Sequence, residues 1–130
     1  MTDLVEFVRA RIGEYEQAAQ NATVASSTWS VDASGKFVYV TDAGSWRVTR
    51  MGEPAAAIHI ARHDPARVLA EVAALRRIVD RYEDCVARVN DPEYPMAIAR
   101  DQIREYEDFV LPALAGIWAD HPDYREEWQP

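Results

Sequence analysis

Residues 59–69 read His59-Ile-Ala-Arg-His-Asp-Pro-Ala-Arg-Val-Leu69, and the Asp64-Pro65 step within them decides where the strongest helical pattern begins. A residue before proline is pushed out of the α region toward extended backbone. Asp64 therefore reads as an N-cap, with Pro65 at the first helical position, where its missing N–H costs nothing. On this reading His59 and His63 lie in the approach to the helix rather than along one. Their spacing also lacks the glutamate that follows the first histidine of a zinc-protease helix.

Beyond Pro65, apolar residues recur at Val68, Val72, Leu75, Val79, Tyr82, Val86 and Val89, in steps of four and three, which predicts a helix over 65–89. Ile78 and Cys85 widen that stripe, and Cys85 reads as a small buried hydrophobe rather than a nucleophile. Asn90-Asp-Pro-Glu-Tyr-Pro95 then breaks the chain with two prolines. A second stripe follows at Met96, Ala99, Ile103, Tyr106, Val110, Ala113 and Ile117, predicting a helix over 96–118. Pro112 should kink it near Asp108, whose carbonyl loses its partner. The short connection implies an antiparallel pair. The tail predicts a short helix at about 122–127, ending in Trp128 as an aromatic anchor.

On the N-terminal side of the opening stretch the period falls to two. Thr28–Val31, Phe37–Thr41 and Ser45–Thr49 are rich in β-branched and aromatic residues. Asp32-Ala-Ser-Gly-Lys36 and Asp42-Ala-Gly44 separate them, with the aspartates and glycines of tight turns. A three-stranded antiparallel meander over 27–50 follows, with Trp29 and Trp46 packing one face onto helices, because so small a sheet is not stable alone. Before it, Val5, Val8, Ile12, Tyr15, Ala19 and Ala22 form one stripe of a helix over 3–22. The expected fold is α+β, mainly α: a single domain over 1–130, built as a three-helix antiparallel bundle. The small three-stranded meander is inserted into the bundle, and a short C-terminal helix ends the chain.

Composition narrows the function. The chain has 130 residues, 48% hydrophobic and 28% charged, in the range of globular proteins. No membrane-spanning stretch and no secretory signal are read at MTDLVEFVRARIG, and one cysteine excludes an internal disulfide or a multi-cysteine zinc site. A cytoplasmic protein is expected. The net charge of −8 is uneven: −3 over residues 1–46, +3 over 47–81 and −8 over 83–130. Such a balance argues against nucleic acid as a partner, although the arginine-rich middle offers a local place for an anion.

The chemical constellations are sparse. No Gly-rich phosphate loop, glycine-flanked serine elbow or reactive Cys–His pair is present. His59, His63 and His121 could form a metal site if the fold brings the tail near, and Asp101, Glu105, Glu107 and Asp108 read as a solvated acidic face. No cofactor is expected.

Three pieces of the chain, MTDLVEFVRARIGE at the start, HIARHDPARVLAEVAALRRIV in the middle and ADHPDYREEW near the end, are similar to a family of small proteins. These come from actinobacteria and their phages, and the family is catalogued as domain of unknown function 6221. The resemblance covers about a third of the residues, in matching order and separation. Many relatives carry extra cysteines between the second and third pieces that look like a small zinc site. This chain has only Cys85 there, so that metal is not carried over. The resemblance implies an origin and no activity.

Three functions compete. The first is a non-enzymatic protein-interaction module, an accessory protein of phage or prophage type, with Arg62, Arg67, Ile78, Tyr82 and Trp128 as contact residues. The broad 65–89 stripe and the complementary charge of the middle and C-terminal segments add an expected homodimer, with Ile78 and Tyr82 near its interface. The second is a small metal-dependent hydrolase using His59, His63, Asp64 and His121. The third is an acidic mimic of DNA, suggested by the −8 of residues 83–130.

Overall fold

A computed structural model describes residues 2–23, 25–41 and 46–130. Helix α1 spans Thr2–Ala22, followed by strands β1 (Trp29–Val31), β2 (Phe37–Val40) and β3 (Arg47–Arg50). Helices α2 (Pro54–Arg62), α3 (Pro65–Arg88) and α4 (Met96–Glu105) come next. A π-helical turn at Tyr106–Val110 leads into α5 (Leu111–Ala115), and 3₁₀ turns cover Gly116–Trp118 and Glu126–Trp128. The architecture is α+β and mainly helical, with one three-stranded antiparallel sheet in the order β1-β2-β3. Among the described residues no helix is long and apolar enough to cross a membrane. The chain divides into two compact units, Met1–Gly13 with Ala74–Pro130, and Glu14–Ala73.

In the first unit Leu4, Phe7, Val8 and Ile12 of α1, Val79, Tyr82 and Cys85 of α3, and Ala99, Leu111 and Ala115 beyond are buried. The Tyr82 hydroxyl donates to Glu107 Oε1 at 2.8 Å, and Cys85 Sγ lies 3.6 Å from Gln102 Oε1. Moving up α3 therefore means moving back along the later segment, which makes the pair an antiparallel hairpin. Arg9 Nη2 of α1 lies 2.9 Å from Asp80 and 2.7 Å from Glu83 of α3, and Arg9 Nε donates to Glu83 at 2.9 Å. All three groups are partly exposed, so this clamp stabilises by less than about 1 kcal/mol per pair. The end of the chain folds back on α1. The Trp128 ring lies 5.0 Å from Phe7, and Arg125 pairs with Asp3 at 2.9 Å. The short helix expected at about 122–127 is thus only the 3₁₀ turn Glu126–Trp128, held by ring packing rather than by helical periodicity.

The proline kink takes a particular form. An α-helical Pro112 would leave the Asp108 carbonyl without a donor and press its ring against it. The chain widens instead, and the Leu111 N–H bonds to the Tyr106 carbonyl, five residues back. A π turn holds one more residue than an α turn, so every later position rotates by one place. Sequence periodicity expects Val110, Ala113 and Ile117 inside; Leu111, Ala115 and Trp118 are buried instead, and Ile117 is 50% exposed.

In the second unit, β2 alternates half-buried Phe37 and Tyr39 with buried Val38 and Val40. Val38 pairs with Val31 and Val40 with Trp29, so these four share one face. A bulge at Val38/Tyr39 shifts the β2–β3 register. The turn Asp42-Ala-Gly44 lies outside the described residues, as does Ser45. Trp46, expected to pack, is 56% exposed. Helix α2 was not foreseen and corrects the placing of two histidines: His59 lies on it and His63 is its C-cap. The Asp64-Pro65 step does end that helix, as its chemistry requires.

Candidate functional site: an apolar pocket beside the Asp64 cap

Asp64 acts at two places. Its Oδ1 accepts the Arg67 N–H at 2.8 Å, the N-cap bond of α3, and its Oδ2 accepts the Trp29 N–H at 3.1 Å. One carboxylate thus pins the start of α3 to the edge of β1. A second clip follows beside it, from the Ala66 N–H to the Ser27 carbonyl at 2.8 Å. These bonds fix Trp29, Pro65 and Val68 as one wall of a cavity.

The opposite wall is the second half of α1. Tyr15 and Ala18, and Ala19 and Ala22, are three apart, while Tyr15 and Ala19, and Ala18 and Ala22, are four apart, so the four share a face. Three of the four are alanines, and their short side chains leave open a space of about 360 Å³. His63 and Glu71 complete the lining. The pocket is mostly apolar, as small-molecule and side-chain sites are.

Its polar groups are few. Glu71 is held by Arg67 Nε at 2.7 Å. His63 Nδ1 lies 2.8 Å from the His59 carbonyl, which only accepts, so Nδ1 is the donor of this bond. The two imidazoles sit 4.4 Å apart. The Trp29 indole N–H is buried without a hydrogen-bond partner among the described residues. A buried donor left unmade costs about 1–3 kcal/mol.

His59 and His63 stand together, whereas His121 belongs to the other unit and is already engaged. Its Nδ1 lies 2.8 Å from Arg11 Nη1 and accepts the Asp123 N–H at 3.1 Å. Arginine can only donate, so this nitrogen bears no proton. Among the described residues no group of three or more His, Cys, Asp and Glu is placed to hold a metal. Arg62 and Arg67 are exposed and Ile78 is half-buried, while Tyr82 and Trp128 are buried within the first unit. Those two rings pack inside the chain, at 7% and 8% exposure. The acidic face also loses a member, because Glu107 accepts the Tyr82 hydroxyl. Sequence reasoning missed the pocket-lining role of Tyr15, Ala18, Ala22 and Trp29. The signal for it was the run of alanines on a stripe whose first half carries large residues.

Fold and site together define a small, mainly helical α+β protein with one small sheet and an apolar side pocket. Over residues 1–130 the chain matches the model described as "Family of unknown function (DUF6221)", and it belongs to that family. Neither a curated protein nor a solved structure matches it.

Proposed function

We propose that the chain is a non-enzymatic protein-interaction module whose pocket receives one large apolar side chain from a partner segment. The observation that carries this reading is the lining itself. Three alanines, Trp29, Pro65 and Val68 surround about 360 Å³, with Tyr15, His63 and an arginine-paired Glu71 as the ionisable groups. A general acid–base or nucleophilic mechanism needs paired titratable groups or an activated nucleophile. An anchor side chain needs only an apolar socket and a few polar groups to orient it. The resemblance to actinobacterial and phage proteins supports an accessory role in the cytoplasm, with residues 1–130 acting as one domain. Self-association belongs to the same proposal. With Tyr82 buried, its surface would be the exposed apolar residues Met96, Ile98, Phe109 and Ile117.

Affinity capture from an actinobacterial lysate tests the socket when run with two variants. Ala18→Trp fills the pocket from an accessible position, and Gln17→Trp adds the same bulk to the neighbouring exposed position. The expected result is a partner retained by wild type and Gln17→Trp and lost by Ala18→Trp, with all three unfolding at the same temperature. Equal capture by both variants would refute the socket.

A further inference from the structure

The face of the sheet opposite Val38 and Val40 presents a different chemistry. Phe37 pairs with Arg50 and Tyr39 with Arg47 across β2 and β3, so all four side chains share that outer face. The Phe37 and Tyr39 rings are 6.2 Å apart. Both guanidinium carbons stand over Phe37, at 5.2 Å for Arg47 and 5.7 Å for Arg50. Both arginines are exposed, and among the described residues no carboxylate forms an ion pair with either. Asp32, in the turn between β1 and β2, is engaged within that turn. Asp32 accepts the Ser34 hydroxyl at 2.8 Å and the Phe37 N–H at 3.3 Å.

We infer that this face is a binding site for single-stranded nucleic acid. The two guanidinium groups offer charge for phosphates, and their planar faces, with the neighbouring Tyr39 ring, offer stacking surface for unstacked bases. An acidic peptide would use the arginines but not the rings, and duplex DNA would keep its bases stacked away from them. The ring pair is therefore what selects the occupant. The chain's charge of −8 opposes any polyanion at long range, which makes this a local and weak site rather than a steering field. Between Trp29 and Arg50 the sequence holds three bases, Lys36, Arg47 and Arg50, against two acids, Asp32 and Asp42.

Fluorescence anisotropy of a labelled oligothymidine strand, titrated with the full chain over a range of salt, tests the site. Wild type is expected to bind the strand more tightly than the matching duplex or a polyglutamate peptide. Each phosphate contact contributes about 0.7 to the salt slope of single-strand binding, so Arg47→Gln with Arg50→Gln should flatten that slope by about 1.4. Tyr39→Ser should weaken binding about fivefold at unchanged slope, and Tyr39→Phe should restore it. Failure of the wild-type chain to bind the strand would overturn the proposal. So would equal binding of duplex or polyglutamate, or a slope indifferent to the two arginines. The pocket-filling Ala18→Trp variant should bind the strand normally, which separates this site from the socket.

Discussion

Asp64 shows how much one side chain can do when both of its oxygens are used. A cap alone is worth about 1 kcal/mol, and asparagine caps nearly as well as aspartate. Here the second oxygen holds the Trp29 N–H, and an amide has only one acceptor oxygen. Asp64→Asn should therefore destabilise by about 1 kcal/mol, and Asp64→Ala by about 2–3 kcal/mol, as one or two N–H groups lose their acceptor. Urea unfolding checks both; an asparagine variant as stable as wild type would show that the strand bond contributes nothing. Tyr82 supplies a pH-dependent case. Burial first, then the hydrogen bond to Glu107 and the charges of Glu107 and Glu83, push its phenol up to about 12. An unfolded tyrosine ionises near 10. The folded state holds this proton more tightly, so Tyr82's contribution is complete below pH of about 10 and is lost as pH rises toward about 12. In Tyr82→Phe the loss of stability over that interval should shrink, as read from urea midpoints across the alkaline range.

At the scale of elements, the parts with strong periodicity were legible and the parts shaped by backbone chemistry were not. Helix α1, the meander and the start of α3 followed from apolar spacing, turn residues and the Asp64-Pro65 step. Helix α2 was hidden because its Pro-Ala-Ala-Ala start carries no amphipathic stripe, only good helix formers behind a proline at the first position. The π turn was hidden for a subtler reason. Pro112 announces a disturbance, but periodicity does not say that the helix will absorb it with one extra residue. The consequence is measurable. Leu111→Ala should cost about 2–5 kcal/mol as a core truncation, whereas Ile117→Ala should cost under about 0.5 kcal/mol. Thermal or urea denaturation of the pair distinguishes the shifted register from a regular helix, which would put the larger loss at Ile117. The pocket was only half legible: its cap was read from sequence, but the alanine wall opposite looked like an ordinary core stripe.

For the whole molecule, the chain combines a buried aromatic and aliphatic core in one unit with two accessible surfaces of opposite character in the other. The apolar socket lies beside the Asp64 junction, and the arginine–aromatic face lies on the exposed side of the sheet. Neither needs a metal, and neither uses His121, whose Nδ1 is committed to Arg11 and the Asp123 N–H. The socket is proposed to bind an apolar anchor. Its most direct test is a nitrogen-15 titration of the full chain with a peptide selected against it from a displayed library, following the Trp29 indole N–H. The account predicts a saturable shift of that signal, together with those of Ala18 and Ala22, and its loss in Ala18→Trp. Selected peptides whose shifts fall elsewhere while Trp29, Ala18 and Ala22 stay still would contradict it.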